Sequence, residues 1–356
     1  MEQKLRLRTG LLIILSGFLF NCTPAFPQDD TLPDTLTLNQ DEVEGLFDRE
    51  ETLDISIKFD ITEYMRKKPD EYMDAVITFY NDVDDSVSYN IRLRSRGERR
   101  REVCAFPPLR LNFKNTNTIY DDIDSMTNIK MVTHCNLPGA YDGYVLKEYI
   151  LYKMYNLVTD YSFRVRLLRV NYIDTGKKGR FYRKYGFLIE PMDLLEKRLN
   201  VMELENIPLR YNSMVPDMLD RMAIFQYMIG NTDWQLITYH NMKIVKKIDE
   251  QQGIPVPYDF DYSGFINASY AVPHEMFPIK DVRQRFFMGP CRPDSVYRKI
   301  LQEFKDNKEN FYAIKDNCEL LNDRTARYVN NYLDGFFNLL EKDRLIDIFL
   351  LECVDR

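Results

Sequence analysis

The residues best suited to chemistry begin in a short run at 230–234. Asn231 and Asp233 lie there, just after an apolar segment that Gly230 is placed to end. A carboxylate on such a loop can orient a hydroxyl nucleophile and accept its proton. Asp233 is therefore the candidate catalytic base, with Asn231 beside it. The alternative is that both are ordinary turn or helix-capping residues.

A second set of oxygen donors follows along the chain. Asn241 precedes a predicted strand at 242–245, and Asp259 and Asp261 come directly after a short extended segment. Carboxylate and amide oxygens are the ligands that Mg²⁺ prefers, so these three residues are candidate metal ligands. A base followed by two metal-binding segments is the order of a phosphoryl-transfer site. Surface turn carboxylates are the alternative for the two aspartates.

Cations that could hold phosphate groups lie in the first half of the chain. Residues 94–101, which are predicted to form a turn between two strands, contain five arginines around one glycine, among them Arg96 and Arg99. Guanidinium groups bind phosphate oxygens in bidentate geometry, although a solvated basic turn is an equal alternative. Lys130 lies within an apolar strand and Glu148 on the helix that follows. A strand lysine paired with a helix glutamate is the arrangement with which kinases hold the α- and β-phosphates.

The elements that position these residues change in character near residue 190. Before it, period-two alternation predicts strands, with one helix at 145–157. After it, helices predominate, at 215–230 and over most of 296–350. The predicted strands of the first half lie at 53–59, 75–80, 87–93, 109–113, 129–132, 164–172 and 185–189.

This order predicts an α+β fold of two lobes, a β-rich lobe at 46–190 and an α-rich lobe at 191–356. Glu190 ends the last strand of the first lobe. It therefore lies at the junction, where a residue that contacts adenine would be found.

The first 25 residues have the composition of an export signal. Lys4, Arg6 and Arg8 precede an apolar run at 11–20 that is too short to span a bilayer. We expect a signal peptide at 1–25, a flexible spacer at 26–45 and an exported, periplasmic or envelope-associated protein. Lipid attachment at Cys22, with the membrane as a partner, stays open as an alternative.

Composition and cysteine content narrow the class of protein. The chain is 45% hydrophobic with a formal net charge of -7, which argues against disorder and against non-specific binding to nucleic acid. The five cysteines beyond Cys22 form no CxxC pair, so a zinc cluster is not expected. Cys104 and Cys135 flank neighbouring predicted strands and are the best disulfide pair. The odd count leaves one thiol free.

The chain resembles the spore-coat-protein-H (CotH) family of secreted atypical kinases over residues 90–265. The resemblance implies a two-lobed protein-kinase-like fold, ATP with Mg²⁺ or Mn²⁺, and phosphate transfer to Ser or Thr of an exported protein. It also implies that Asp233 is the catalytic aspartate, Asp259 the metal-binding aspartate and Asn241 the metal-side asparagine. The chain departs from the family in lacking a clear glycine-rich loop. The segments that carry the resemblance are 92–97, 107–114, 128–131, 145–157, 164–172, 231–233, 240–241 and 257–261.

Two further functional classes stay open. The first is a catalytically silent kinase-like binding module at the cell envelope. The second, which the sequence favours less, is a glycosidase with a pair of carboxylates set across a cleft. Metal-dependent binding of nucleotide separates the phosphotransferase from the silent module, and cleavage of a sugar polymer without metal would indicate the glycosidase.

Overall fold

A computed structural model describes residues 45–354, except 83–84, 115, 117, 119, 121–127 and 206. The predicted signal peptide, Cys22 and all of the spacer but residue 45 lie outside the described residues. Export and lipid attachment therefore stay predictions. Within the described part of the chain, no helix is both long enough and apolar enough to cross a membrane.

The first half of the described chain is a closed barrel with strand order β1-β2-β3-β4-β5-β7-β6. Neighbouring strands are antiparallel except β1 and β6, whose parallel pairing closes the barrel. The strands are β1 (Leu53–Phe59), β2 (Met73–Asp82), β3 (Asp85–Ser95), β4 (Leu109–Asn112), β5 (Ile129–Val132), β6 (Val165–Asp174) and β7 (Phe181–Ile189). The helices inserted between them are α1 (Ile61–Lys67), α2 (Glu98–Val103) and α3 (Ala140–Val158).

The second half combines helices with a small sheet of order β10-β9-β8. Helix α5 is the central element, because most of its residues are buried. It begins at Pro216, whose missing N–H costs nothing in a first turn, and it ends at Gly230. The elements are α4 (Met192–Leu199), β8 (Val201–Glu203), α5 (Pro216–Ile229), β9 (Met242–Lys247), β10 (Ile254–Pro257), α6 (Asp294–Asp306), α7 (Lys308–Asp316), α8 (Asp323–Glu341) and α9 (Leu345–Glu352).

Two hydrophobic clusters form the core. One fills the barrel and includes Ile57, Phe79 and Leu111. The other joins the helices of the second half to α3 and to the ends of β6 and β7, through residues such as Phe187. The described residues belong to one compact unit, within which α3 is part of the second cluster although it precedes residue 190 in sequence. The division at 190 stays a prediction.

The prediction of a mixed α+β chain agrees with the structure, whereas closure of the barrel was not predicted. The strands predicted at 53–59 and 129–132 have the observed bounds. The arginine-rich segment 94–101 was predicted to be a turn, and this was wrong, because residues 98–103 form α2. The three adjacent arginines give this segment no apolar periodicity from which a helix could be predicted. The helix therefore depends on tertiary contacts.

Two disulfides connect distant segments. Cys104 bonds Cys135, as predicted, and thereby fixes the end of α2 to the segment that follows β5. Cys291 bonds Cys353 in the second half, which leaves Cys318 as the free thiol among the described cysteines.

We predict that Gly230→Ala lowers the free energy of unfolding by at least about 1 kcal/mol, the cost of a left-handed conformation for an L-residue. Gly230 has φ 63°, and a Cβ atom there would lie 2.0 Å from the Tyr332 hydroxyl oxygen. Urea denaturation measures the change.

Gly143→Ala is the matched control. Gly143 lies inside α3, and the nearest atom to an added Cβ is 3.5 Å away, at ordinary contact distance. Alanine is the better helix former, so this change should not destabilise the protein. Equal stability of the Gly230→Ala variant and the wild type would contradict the assignment of Gly230 as a required helix end.

Candidate functional site

A polar cleft of about 710 Å³ lies between the barrel wall and the loops that follow α5 and β10. Most of the cationic side chains come from the barrel side, which also contributes Glu98 and Glu102, and the other carboxylates and an amide come from the other half. The cleft therefore brings together residues from both predicted halves of the chain. The charged and polar residues lining it include Arg96, Arg99, Arg100, Arg110, Lys130, Asp233, His240, Asn241, Asp259 and Asp261.

Asp233 lies in this cleft with its side chain 34% exposed. Its Oδ1 is 2.9 Å from His240 Nε2, and its Oδ2 accepts a 2.9 Å hydrogen bond from Asn241 Nδ2. A carboxylate has about four acceptor positions, so these two contacts leave capacity for a ligand hydroxyl. Asp233 is thus oriented from two sides while staying accessible.

Asn231 is buried and does not line the cleft. Its Oδ1 accepts a 3.0 Å hydrogen bond from the backbone N–H of Asp233, and its Nδ2 donates to Gln226 Oε1. The side chain therefore ties the loop to α5. The structure places Asn231 as a positioning residue and not as a group that touches a substrate.

The pairing of β9 with β10 brings Asn241 and Asp259 together. Met242 and Pro257 are register partners at the ends of the two strands, and the N–H of Tyr258 donates to the carbonyl oxygen of Asn241 at 3.1 Å. Asn241 and Asp259 have φ values of 52° and 61°. Asn and Asp tolerate this left-handed region better than other side chains, and such conformations concentrate at functional sites.

Arg100 of α2 is the buried cation at the base of the cleft. Its Nε lies 2.6 Å from Asp261 Oδ2, and its Nη2 lies 3.3 Å from Glu148 Oε2 and 3.7 Å from Asp259 Oδ1. Its guanidinium carbon is also 5.6 Å from the ring centre of Tyr270. One guanidinium thus joins α2 to α3 and to the loop after β10.

A single guanidinium cannot offset the buried carboxyls of Glu148 and Asp261 together with the partly exposed carboxyl of Asp259, and the proton affinities of the three groups diverge. Burial raises the pKa of Glu148 to about 8 and that of Asp261 to about 7, against the attraction of Arg100. Burial also acts on Asp259, but Arg100 and Arg96 outweigh it and hold the pKa of that carboxyl below its ordinary value. Asp259 is therefore the carboxylate of this group that stays ionised at neutral pH.

The predicted pairing of Lys130 with Glu148 was wrong. Glu148 pairs with Arg100, and the Lys130 ammonium lies over the ring of Tyr258 at 4.8 Å. Burial, together with repulsion from neighbouring cations such as Arg96, lowers the pKa of Lys130 to about 7. Lys130 still lines the cleft, where an anion would restore its ordinary charge state.

The predicted contact of Glu190 with adenine does not fit the position of its side chain. The Glu190 side chain is fully buried and forms ion pairs at 2.8 Å with both Arg164 and Arg198. Its oxygens also accept the N–H of Arg164. Glu190 therefore anchors β7 to its surroundings and has no free face for a ligand.

Arg96 and Arg99 reach the cleft as predicted, but in different states. Arg99 is exposed and forms a 2.9 Å ion pair with Glu102. Arg96 has no ion pair with a carboxylate among the described residues, so its positive charge is less compensated than that of Arg99. Arg100 was predicted only as one of five candidate phosphate-binding arginines, and its ion pairs with carboxyl groups were missed, as was Arg110 as a cleft residue. Arg110 could have been identified only from the strand pairing, which places it opposite Lys130.

The donor set fits a divalent cation at two of the three predicted positions. Asp259 and Asn241 offer a carboxylate and an amide oxygen, and Mg²⁺ commonly takes one or two protein oxygens together with phosphate and water. Asp261 does not fit, because its carboxylate is engaged by Arg100. Within the described residues, no group of three or more His, Cys, Asp or Glu side chains has the arrangement of a metal site.

Comparisons with family models and curated proteins do not assign this chain to a family. No family model matches the chain, so the resemblance to the CotH family stays an expectation. No curated protein matches it either. Among solved structures, the chain is similar to the Helicobacter pylori proinflammatory kinase CtkA, with a TM-score of 0.37 and 10% identity over 68% of this chain and 93% of that chain. A likeness this weak is no basis for assigning a fold or a function.

We predict that Glu148→Gln gains stability relative to the wild type as pH rises from 5 to 8. The pKa of Glu148 is raised from 4.5 to about 8 in the folded state, so the native protein holds a proton that the unfolded chain has lost. The stabilisation of the folded state that this bound proton provides is fully present at low pH, and it is lost as pH rises toward 8. Glutamine has no titratable proton, so the free energy of unfolding of the variant does not follow this loss. The difference in free energy of unfolding between the variant and the wild type should therefore widen by up to about 1.4 kcal/mol per pH unit.

Chemical denaturation at several pH values measures this difference. Glu275→Gln, at an exposed glutamate, is the control and should show no such trend. A difference between Glu148→Gln and wild type that is independent of pH would mean that Glu148 is ionised in the native protein.

Proposed function

We propose that this protein is an ATP-dependent phosphotransferase, with the barrel and the helical half acting as the two lobes of a protein-kinase-like fold. The observation that supports it best is the convergence of Asp233, Asn241 and Asp259 in one cleft, opposite a cationic wall. These three residues are separated in sequence, and strand pairing brings them together. A base, hard oxygen donors and phosphate-binding cations are the parts that phosphoryl transfer requires.

In the proposed reaction, Asp233 accepts the proton of an acceptor hydroxyl. The hydroxyl oxygen bonds to the γ-phosphorus of ATP as the bond from that phosphorus to the β–γ bridging oxygen breaks, and ADP leaves. Asn231 fixes the loop, while His240 and Asn241 orient the carboxylate of Asp233. A bound Mg²⁺ or Mn²⁺ would neutralise phosphate charge, with Asp259 and Asn241 as its protein ligands.

On the opposite wall, Arg96 and Lys130 would hold phosphate oxygens. Lys130 would regain its proton in the presence of phosphate, because a nearby anion favours the charged ammonium. Arg100 holds Asp259 in place through the buried ion pairs described above. The acceptor is proposed to be a Ser or Thr of an exported protein, at the envelope if the predicted signal peptide acts as expected.

We predict that Asp233→Asn lowers autophosphorylation by at least about 100-fold, the contribution typical of a general base. Nucleotide affinity should change little, because the proposed role of Asp233 is toward the acceptor hydroxyl. Incorporation of labelled phosphate from ATP measures the loss. Asp249→Asn, at an exposed turn residue, is the matched control and should retain wild-type activity.

We predict that Asp259→Asn weakens ATP binding in the presence of Mg²⁺ or Mn²⁺ and has little effect without metal. Removing one of two protein ligands lowers the affinity for the metal–nucleotide complex. Calorimetry of the mature chain with and without metal measures this difference. Metal-dependent ATP binding without any transfer would favour the silent binding module, and sugar-polymer cleavage without metal would favour the glycosidase.

A further inference from the structure

Three cations stand in a row across the barrel wall. Arg94 on β3 is the register partner of Arg110 on β4, and Arg110 is the register partner of Lys130 on β5. Register partners on adjacent strands share one face of the sheet, and strands lie about 4.8 Å apart, so the row is roughly 10 Å long. Like charges directly opposite each other destabilise a sheet. Three in succession therefore need a compensating interaction.

The described residues supply little compensation along this row. Asp70 contacts Arg94 at 3.3 Å at the outer end, but it also forms a closer 2.6 Å ion pair with Arg101. Arg110 has no ion pair among the described residues. The Nε atoms of Arg94 and Arg110 are buried without a hydrogen-bond partner in the same part of the chain. Arg94 also lies 5.3 Å from the ring centre of Tyr72, and Lys130 lies 4.8 Å from that of Tyr258, so the described residues compensate the positive charge of the row only in part.

The row differs from the rest of the cleft in this respect. Arg100 is contacted by three carboxyl groups, of which Asp259 stays ionised, and Arg99 is paired with Glu102. Burial, with repulsion from Arg94 and Arg96, lowers the pKa of Arg110. The chain as a whole has a net charge of -7, so a basic stripe is not a general property of its surface. An anionic ligand would relieve the repulsion.

The two ends of the row face different surroundings. Lys130 and Arg110 line the cleft that holds Asp259, whereas Arg94 lies outside the lining. A nucleotide whose phosphates reach Asp259 would contact the inner end alone. The outer end lies on the sheet beyond the cleft lining, and the Arg94 side chain there is 26% exposed.

We infer that Arg94 and Arg110 of this row bind an acidic segment of the acceptor protein and guide its hydroxyl toward Asp233, while Lys130 at the inner end contacts the donor. This inference rests on the proposed phosphotransferase function and adds a substrate class to it. The acceptor is a peptide segment with clustered carboxylate or phosphate side chains next to the Ser or Thr that receives phosphate.

Kinetics with matched serine peptides test this inference. Three peptides of equal length carry acidic, neutral or basic residues beside the serine. Lys130 is proposed to contact the donor, so only the outer cations are changed, in an Arg94→Gln/Arg110→Gln double variant. Its KM for the acidic peptide should rise by about tenfold or more, as expected when two charge-assisted contacts are lost.

An Arg94→Gln single variant, whose residue lies outside the cleft lining, should keep the wild-type kcat, KM for ATP and KM for the neutral peptide while its KM for the acidic peptide still rises. Added salt should raise the wild-type KM for the acidic peptide alone. Arg183→Gln is the control, because Arg183 is an exposed arginine on β7 outside the row. The double variant should fold at least as stably as wild type, since the change removes like-charge repulsion.

Equal use of the three peptides by the wild type would overturn the inference and leave the phosphotransferase function intact. A rise in the KM for ATP with no change for peptide would also overturn it, by assigning the whole row to the donor. Fluorescence anisotropy of a labelled acidic peptide, without nucleotide, separates the two proposals. Peptide binding that is lost in the double variant, in a protein that transfers no phosphate, would support the acidic-ligand site and reject the transferase.

Discussion

The buried guanidinium of Arg100 is the interaction on which the site depends. It contacts Glu148, Asp259 and Asp261, which come from α3 and from the loop after β10, while Arg100 itself belongs to the barrel half. Removing the cation would leave the buried carboxyl groups of Glu148 and Asp261, and the partly exposed one of Asp259, without their shared partner, and breaking a buried ion pair costs several kcal/mol. The two halves of the molecule are thus joined at the point where the cleft needs a defined position for Asp259.

Helix α2 can hold Arg100 in place because both of its ends are restrained. Gly97, with φ 76°, allows the sharp entry into the helix, and Cys104 immediately after it is bonded to Cys135. A six-residue helix has little stability of its own. The disulfide and the ion pairs of Arg100 therefore substitute for helix propensity, which explains why the segment resembled a basic turn in sequence.

Charge is distributed unevenly within the cleft. The carboxylates cluster around Arg100 at its base, whereas Arg96, Arg110 and Lys130 on the barrel wall have few acidic partners. In a partly buried site such separation produces a strong local field that favours anions on one wall and a cation near Asp259 and Asn241. A chain with an acidic overall balance can in this way present a cationic surface to a ligand.

Local sequence determined the strands at 53–59 and 129–132, the end of α5 at Gly230, and the candidate base and metal ligands, because periodicity and turn chemistry act between near neighbours. The pair Cys104–Cys135 could also be inferred, since each cysteine flanks a predicted strand. Tertiary structure alone decided barrel closure, the burial of Glu190 and the choice of Arg100 as the partner of Glu148. Each depends on strand register and on burial, which bring together charges far apart in sequence and set which of them are neutralised.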